Sequence, residues 1–361
     1  MASRVIFGSM AIGSARNDPG RRTKTIRAAV DAGITSIDTA PMYDLGACER
    51  SVGEAIRGVR DRVQIFSKVG LRWDDPHGEV MFTCVDSNGS PVEVRRNCRP
   101  ESVRYEVERS LQRLGVEALD VVHVHTRDPL TPIEDTMGAL KGLLRQGKLR
   151  AIGLSTNFSP LEVLEAQRAL GDVPLASLQL NYSLLHRDLE ADLLPLARDQ
   201  RIGVLARSPL AMGLLTGRVG PSKLFGPGDV RAGAADFHRD NIGRVMRALL
   251  RGIAPVAERH GVNFAMVALA WVLSRPGVSS VVVGASWPEQ ARANAAAAGL
   301  ELDCEDHAEI QRAFEGIELD PFAGSGFARR SYRQARSIAS RIRRRLTRGR
   351  DRNAVFSRLG G

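Results

Sequence analysis

Four residues stand where short β-branched runs end: Asp38 and Tyr43 in Ile37-Asp-Thr-Ala-Pro-Met-Tyr43, Lys68 at the end of 63–68, and His125 at the end of Val121-Val-His-Val-His125. They are a carboxyl, a phenol, an amine and an imidazole. A phenol with a pKa of about 10 is a reluctant proton donor near neutrality. A nearby ammonium stabilises the phenolate and lowers that pKa, and a carboxylate holds the ammonium in place. The chain has five lysines against 46 arginines, so a lysine at a strand end points to a compact, tunable ammonium. Singly, each residue also fits an ordinary role. Asp38 could cap a loop, Tyr43 be a half-buried aromatic, Lys68 a solvated strand end and His125 a rim histidine. Their joint placement at strand ends favours the chemical reading. His123 has the parity of His125 and points inward one layer deeper, which suits a structural role. A zinc site at His123 and His125 lacks a third ligand, so no metal is expected.

The elements that must position these groups alternate regularly. Strands are predicted at 5–8, 35–39, 63–68, 119–125, 151–155, 176–180, 202–206 and 278–283. Helices are predicted at 23–32, 49–58, 100–114, 132–146, 160–170, 189–199, 242–260 and 288–298. Eight βα units in a chain of 361 residues fit a closed α/β (β/α)8 TIM barrel, whose reactive groups lie at strand C-termini. The helix at 100–114 opens with Pro100 and Glu101, and its Val103, Val107, Leu111, Leu114 stripe reads as core. The 262–273 stretch is apolar but too short to span a membrane.

Two segments break the rhythm. Residues 70–99 form an insertion with Asn88-Gly89 between two strand-like runs, 80–85 and 91–95, which predicts a β-hairpin on the rim. Residues 206–241 form a long glycine-rich loop. The barrel is expected over 1–320, with a basic tail over 321–361. The net charge of +10 belongs to that tail: from Phe327 onward there are twelve arginines and one acid, which leaves the rest near neutral. Composition, 43% hydrophobic and 25% charged, excludes wholesale disorder. Cys48, Cys84, Cys98 and Cys304 form no C-x-x-C pair, and no secretory leader opens the chain. Reduced thiols in the cytoplasm are expected, a Cys84–Cys98 bridge being the lesser reading.

The strand-end set resembles the aldo-keto reductase family. So do Ser110-Leu-Gln-Arg-Leu-Gly115, Gly147-Lys-Leu-Arg-Ala-Ile-Gly-Leu-Ser155, Gln179-Leu-Asn-Tyr182, Ser208-Pro-Leu-Ala-Met-Gly-Leu-Leu-Thr-Gly217 and Gly284-Ala-Ser286, in order from about Val5 to Asn294. The resemblance implies an NADPH-dependent carbonyl reductase, or an alcohol or sugar dehydrogenase in reverse. Tyr43 is then the general acid/base, Lys68 its tuner, Asp38 the partner of Lys68, and His125 the donor that orients the carbonyl. No G-x-G-x-x-G follows the first strand, so a Rossmann site is absent. By resemblance, Ser155, Asn157 and Gln179 hold the nicotinamide carboxamide and Tyr182 stacks on its ring. Ser208, Leu210 and Gly213 embrace the pyrophosphate. Gly284, Ser286, Gln290 and Asn294 surround the adenosine 2′-phosphate, with Arg292 adding charge, so NADPH is preferred to NADH. Three departures from the family pattern stand out: no N-terminal hairpin precedes the first strand, Thr156 is an extra residue between Ser155 and Asn157, and Val283 replaces a customary proline.

Trp73, Arg127 and Arg207 lie on rim segments with Arg72, and Arg207 stands where many members of the family carry an aromatic residue. Arginine at a pocket edge suits a carboxylate or phosphate, and Trp73 a ring face, so the expected substrate is a polar aldehyde, ketone or sugar. The tail's Ile338, Ile342 and Leu346 stripe among arginines suits an acidic surface, whether membrane, nucleic acid or protein. Two alternatives to an enzyme remain: a non-catalytic nucleotide-binding redox sensor on the same barrel, and a scaffold whose tail does the binding.

Overall fold

The computed structural model describes residues 2–321 and 323, apart from 16, 17, 157, 227, 228 and 230. The arginine-rich tail and Asn157 therefore lie outside the described residues. Eight parallel strands close into a barrel: β1 (Val5–Gly8), β2 (Ser36–Asp38), β3 (Gln64–Val69), β7 (Val121–Thr126), β8 (Ile152–Thr156), β9 (Leu175–Asn181), β10 (Gly203–Arg207) and β11 (Val278–Gly284). All eight predicted strands are present, with no end displaced by more than two residues. The rim insertion is a separate three-stranded sheet of β4 (Leu71–Arg72), β5 (Glu79–Val85) and β6 (Pro91–Arg96). It is one short strand richer than the predicted hairpin. Its turn is set by Asp86, whose carboxylate accepts from the backbone N–H of Asn88 and Ser90, with Gly89 at φ 81°.

The helices follow from their caps. α3 (Pro100–Leu114) opens with proline and ends at Gly115, φ 65°. α5 (Pro160–Leu170) opens with a reciprocal Ser159–Glu162 capping box. The predicted 242–260 helix is α7 (Arg239–Ala248) and α8 (Ala254–His260) joined by a five-residue π turn, Leu249–Ile253. Pro255 has no N–H for the regular ladder there, and Gly252 leaves room for Ala313, which an added Cβ would approach to 2.4 Å. Ala313 belongs to α11 (Cys304–Phe314), a helix not assigned from sequence, which opens with an Asp303–Asp306 capping box. The apolar 262–273 stretch is α9 (Phe264–Leu273), buried from Val267 onward. No helix among the described residues is long and apolar enough to cross a membrane.

Strand register sorts the barrel interior into layers. Ile6, Phe66, Leu205 and Val282 pack together inside, with Ala2 against them. The alternation of strand side chains then turns the residue two places on toward the same interior, one layer nearer the C-terminal mouth. The registers Phe66 with Asp38, Lys68 with His123, His123 with Gly153, Leu205 with Gln179 and Arg207 with Val282 keep this parity around the circle. The ring at the mouth is therefore Gly8, Asp38, Lys68, His125, Ser155, Gln179, Arg207 and Gly284. Beneath it His123 is wholly buried beside Gly153, where an added Cβ would lie 2.4 Å from the imidazole.

Candidate active site

Lys68 and Asp38 form the centre of this ring. The Lys68 ammonium donates to both Asp38 oxygens at 2.8 Å and to the Thr39 carbonyl at 3.0 Å, with both side chains buried. Gln179 adds a third donor, its Nε2 giving a 2.7 Å bond to Asp38 Oδ1. Tyr43 reaches the same place from the loop after β2. That loop turns through left-handed Asp44, Leu45 and Gly46 (φ 48°, 48° and 84°), held by a 2.6 Å Arg22–Asp44 ion pair. The ammonium lies 4.9 Å from the Tyr43 ring centroid, and the His125 ring meets that ring edge-on at 5.9 Å. The structure thus brings all four predicted residues to one side of the barrel mouth.

The electrostatics differ from the expectation in one respect. Burial pushes the Tyr43 phenol above its ordinary value; Lys68 pulls it down, Asp38 pushes it up again and Arg207 pulls it down, and the net direction is upward. A lysine beside a tyrosine does not suffice to acidify it when burial, and then a carboxylate, oppose it. The Lys68 ammonium is raised, because Asp38 and Tyr43 outweigh the desolvation of burial. His125 is held well below the usual imidazole range, by burial first and then by Lys68 and Arg207, so it is neutral near pH 7. His123 falls to about 3 through burial and Lys68, and its Nε2 lies 2.9 Å from Ser177 Oγ, as suits a structural residue.

Several residues expected to hold a cofactor have partners within the protein. Gln179 gives one of its two amide N–H groups to Asp38. Ser155 is buried on the inward face, its hydroxyl 3.3 Å from the Gln179 carbonyl. Tyr182 is wholly buried. Its ring lies near-parallel to Trp271 with centroids 6.1 Å apart, and its hydroxyl donates to Glu190 at 2.5 Å. The flat face expected to meet a nicotinamide is covered in this arrangement. Gln290 accepts from the Ser286 N–H at 2.8 Å and Asn294 donates to the Gly284 carbonyl at 3.2 Å, so both shape the loop before α10 (Pro288–Ala296). Ser208, Leu210 and Gly213 lie on the rim after β10, where Ser208, Ala211, Met212 and Gly213 all have positive φ, 53°, 47°, 51° and 101°. The Ala211 and Gly213 N–H groups donate to the Ser208 and Leu210 carbonyls at 2.8 and 2.9 Å, so the loop is held by its own backbone.

Of the rim candidates, Arg127 is spent on the Asp128 and Thr131 carbonyls and on Glu162. Arg72 is buried, bonded to Asp74 at 2.6 Å and Ser102 at 3.0 Å. Trp73 faces the Arg113 guanidinium at 5.9 Å. Arg207 differs: it points into the mouth and its Nε is buried without a hydrogen-bond partner. Two buried acids went unnoticed in the sequence. Glu49 accepts from Ser67 at 2.7 Å and Arg113 at 2.6 Å behind β3. Glu106 accepts from the Gly70 N–H at 2.6 Å, and burial pushes its pKa to about 8. The signal was present, since Glu106 falls on the face marked by Val103 and Val107.

The ring positions on β1 and β11, Gly8 and Gly284, put no side chain into the mouth, which leaves that side compatible with a nicotinamide dinucleotide; the space beside Gly284 is held by Ala11, which an added Cβ would meet at 2.6 Å. A family model described as the aldo/keto reductase family matches residues 4–315. The NADH-specific methylglyoxal reductase of Escherichia coli is 35% identical over 325 residues, which cover 88% of this chain and 96% of that protein. The glycerol dehydrogenase AKR11B4 of Gluconobacter oxydans superposes with a TM-score of 0.78 at 33% identity, covering 89% of this chain and 94% of its own. An aldo/keto reductase from Klebsiella pneumoniae solved with NADP and acetate gives 0.65 at 28% identity, covering 88% and 95%.

Proposed function

The chain belongs to the aldo/keto reductase family of NAD(P)H-dependent carbonyl oxidoreductases, and from that premise we propose how its own residues run the reaction. The observation that carries the reading is the Asp38–Lys68 pair, with its ammonium 4.9 Å from the Tyr43 ring and His125 edge-on to the same ring. A bound nicotinamide supplies the hydride that the substrate carbon accepts. Tyr43 gives its hydroxyl proton to the carbonyl oxygen, so that C=O becomes CH–OH and a phenolate remains. His125, neutral, donates a hydrogen bond that fixes the oxygen in reach of Tyr43. Lys68 stabilises the phenolate, and Asp38 with Gln179 fixes the lysine. In the oxidative direction Tyr43 is the base.

The cofactor reading follows the mouth: Ser155 and Gln179 would hold the carboxamide, and the rim loop from Ser208 to Gly213 the pyrophosphate. NADPH is proposed over NADH because two cations stand by the loop before α10. Arg21 of α1 (Pro19–Asp31) lies 4.2 Å over the Trp287 ring and 4.0 Å from Asp18, and Arg292 is exposed on α10, 4.0 Å from Glu289, so each is only loosely paired. Arg21→Ala should then raise KM for NADPH at least about tenfold more than for NADH, the scale of one charge-assisted contact. Equal effects would leave the preference unsupported. The arginine-rich segment 327–361 is proposed as a contact for an acidic surface. Its removal should leave turnover intact and abolish retention on anionic vesicles or nucleic acid.

The test of the whole reading is oxidation of NADPH and NADH with a panel of aldehydes, ketones and sugars, with Tyr43→Phe as control. Turnover by the wild type and a loss of about a hundredfold or more in the variant are expected. Cofactor binding without turnover of any substrate would turn the reading toward a redox sensor.

A further inference from the structure

Arg207 is the ring residue with no task in the mechanism above. It ends β10, shares the parity of Leu205 in the inner layer, and so rises into the mouth. Its guanidinium is near enough to Tyr43 and Asp38 to interact electrostatically with both, yet no carboxylate among the described residues pairs with it within 4.0 Å, and its Nε is buried unbonded. The other rim arginines, 72 and 127, are bonded to acids or carbonyls of their own loops. A half-buried guanidinium with no acid beside it and its Nε shut from water unbonded is costly to a folded protein and is relieved by an anion. The local charge points the same way. Lys68 is matched by Asp38, His125 is neutral, and Arg207 leaves the mouth with one net positive charge.

We propose that Arg207 determines specificity by binding a carboxylate or phosphate carried near the substrate's carbonyl, so that the preferred substrates are short keto or aldehyde acids or phosphorylated aldehydes. The proposal rests on the carbonyl-reduction reading. The planar fork of arginine matches either anion through two parallel N–H bonds. With the carbonyl held between Tyr43 and His125, the anion lies within a few bonds of the reacting carbon.

Matched substrates test it. Succinate semialdehyde is compared with butanal for the carboxylate, and glyceraldehyde 3-phosphate with glyceraldehyde for the phosphate. The wild type should favour the anionic member of at least one pair by about tenfold or more in kcat/KM, and the pair showing the larger ratio identifies the anion. Arg207→Met should collapse that ratio toward one, while Arg207→Lys keeps part of it. Both members of a pair lose some rate in Arg207→Met, because the guanidinium also lowers the Tyr43 pKa; the ratio, not the rate, is the readout. An unchanged ratio would mean that Arg207 acts through Tyr43 alone, and the proposal would fall. So would a wild type with no preference in either pair. A third arm needs no variant: benzoate should inhibit butanal reduction competitively and benzamide far less, and equal inhibition would overturn the proposal. Tyr43→Phe on butanal reports separately on the catalytic reading, so the two failures are distinguishable.

Discussion

Replacing Glu106 by glutamine should make the protein more stable at neutral and alkaline pH. Glu106 lies wholly within the molecule behind the end of β3, with one oxygen taking the Gly70 N–H and the other buried without a partner. Burial raises its pKa from 4.5 to about 8, against the opposing pull of the Gly70 N–H and Arg72. A carboxyl whose folded pKa is raised holds its proton more tightly when folded. Its stabilising contribution is therefore full below pH 4.5 and is lost as pH rises through 8. At about 1.4 kcal/mol per pH unit, the loss amounts to about 3 kcal/mol by pH 7 and about 5 kcal/mol above pH 8. Glutamine keeps an acceptor for Gly70 and carries no charge. Urea unfolding, followed by tryptophan fluorescence from pH 5 to 9, should give a variant-minus-wild-type difference of about 1 kcal/mol at pH 5 that grows to about 3 kcal/mol at pH 7. Other titrating groups act equally on both proteins and cancel. Parallel curves, or a variant weaker than wild type at pH 9, would refute the assignment of a buried, neutral Glu106.

Lys68→Met removes the charge that opposes the rise in the Tyr43 pKa. The alkaline limb of alcohol oxidation, which needs the phenolate, should move to higher pH, and carbonyl reduction should slow by about a hundredfold or more; a limb that stays in place would deny Lys68 its tuning role. His125 is neutral well below its ordinary range, so kcat/KM for reduction should be level between pH 8 and 6. A limb near 6.5 that vanishes in His125→Asn would contradict this. Gly153→Ala would set a Cβ 2.4 Å from His123 and 2.8 Å from the Ser177 carbonyl, so its urea midpoint should fall by an equivalent of about 1–3 kcal/mol. An unchanged midpoint would show that the interior layer yields where the packing says it cannot.

The barrel was legible because a strand buried on both faces writes a short apolar run, and capping residues such as Pro100 and Ser159 mark where helices begin. The clustering of Asp38, Tyr43, Lys68 and His125 was legible because parity and strand ends fix where Asp38, Lys68 and His125 point. Contacts between distant strands were not. Nothing local in Gln179 says that its amide crosses to Asp38, 141 positions away. Nor does Tyr182 announce that Trp271, on α9, covers its face. The same limit separates the rim arginines. Arg72, Arg127 and Arg207 read alike in sequence, and only the loops that fold over the first two show which one is left unpaired.

The upward shift of Tyr43 bears on the proposed reaction. In that proposal the phenol is neutral before proton transfer and burial favours it. After transfer a phenolate stands in the same place, facing two cations and one carboxylate. Both cations interact with it far more strongly than with the neutral phenol, so their stabilisation grows as the proton leaves. Asp38 opposes the phenolate, but without it the Lys68 ammonium would be a buried, unpaired charge free to lose its proton or change position. The carboxylate thus costs some acidity at Tyr43 and secures the geometry that makes the remaining stabilisation available at the moment of transfer. An anionic substrate on Arg207 would weaken that cation's help to the phenolate. It follows that Lys68, which is tied to the protein rather than to the substrate, must carry the larger share of the tuning.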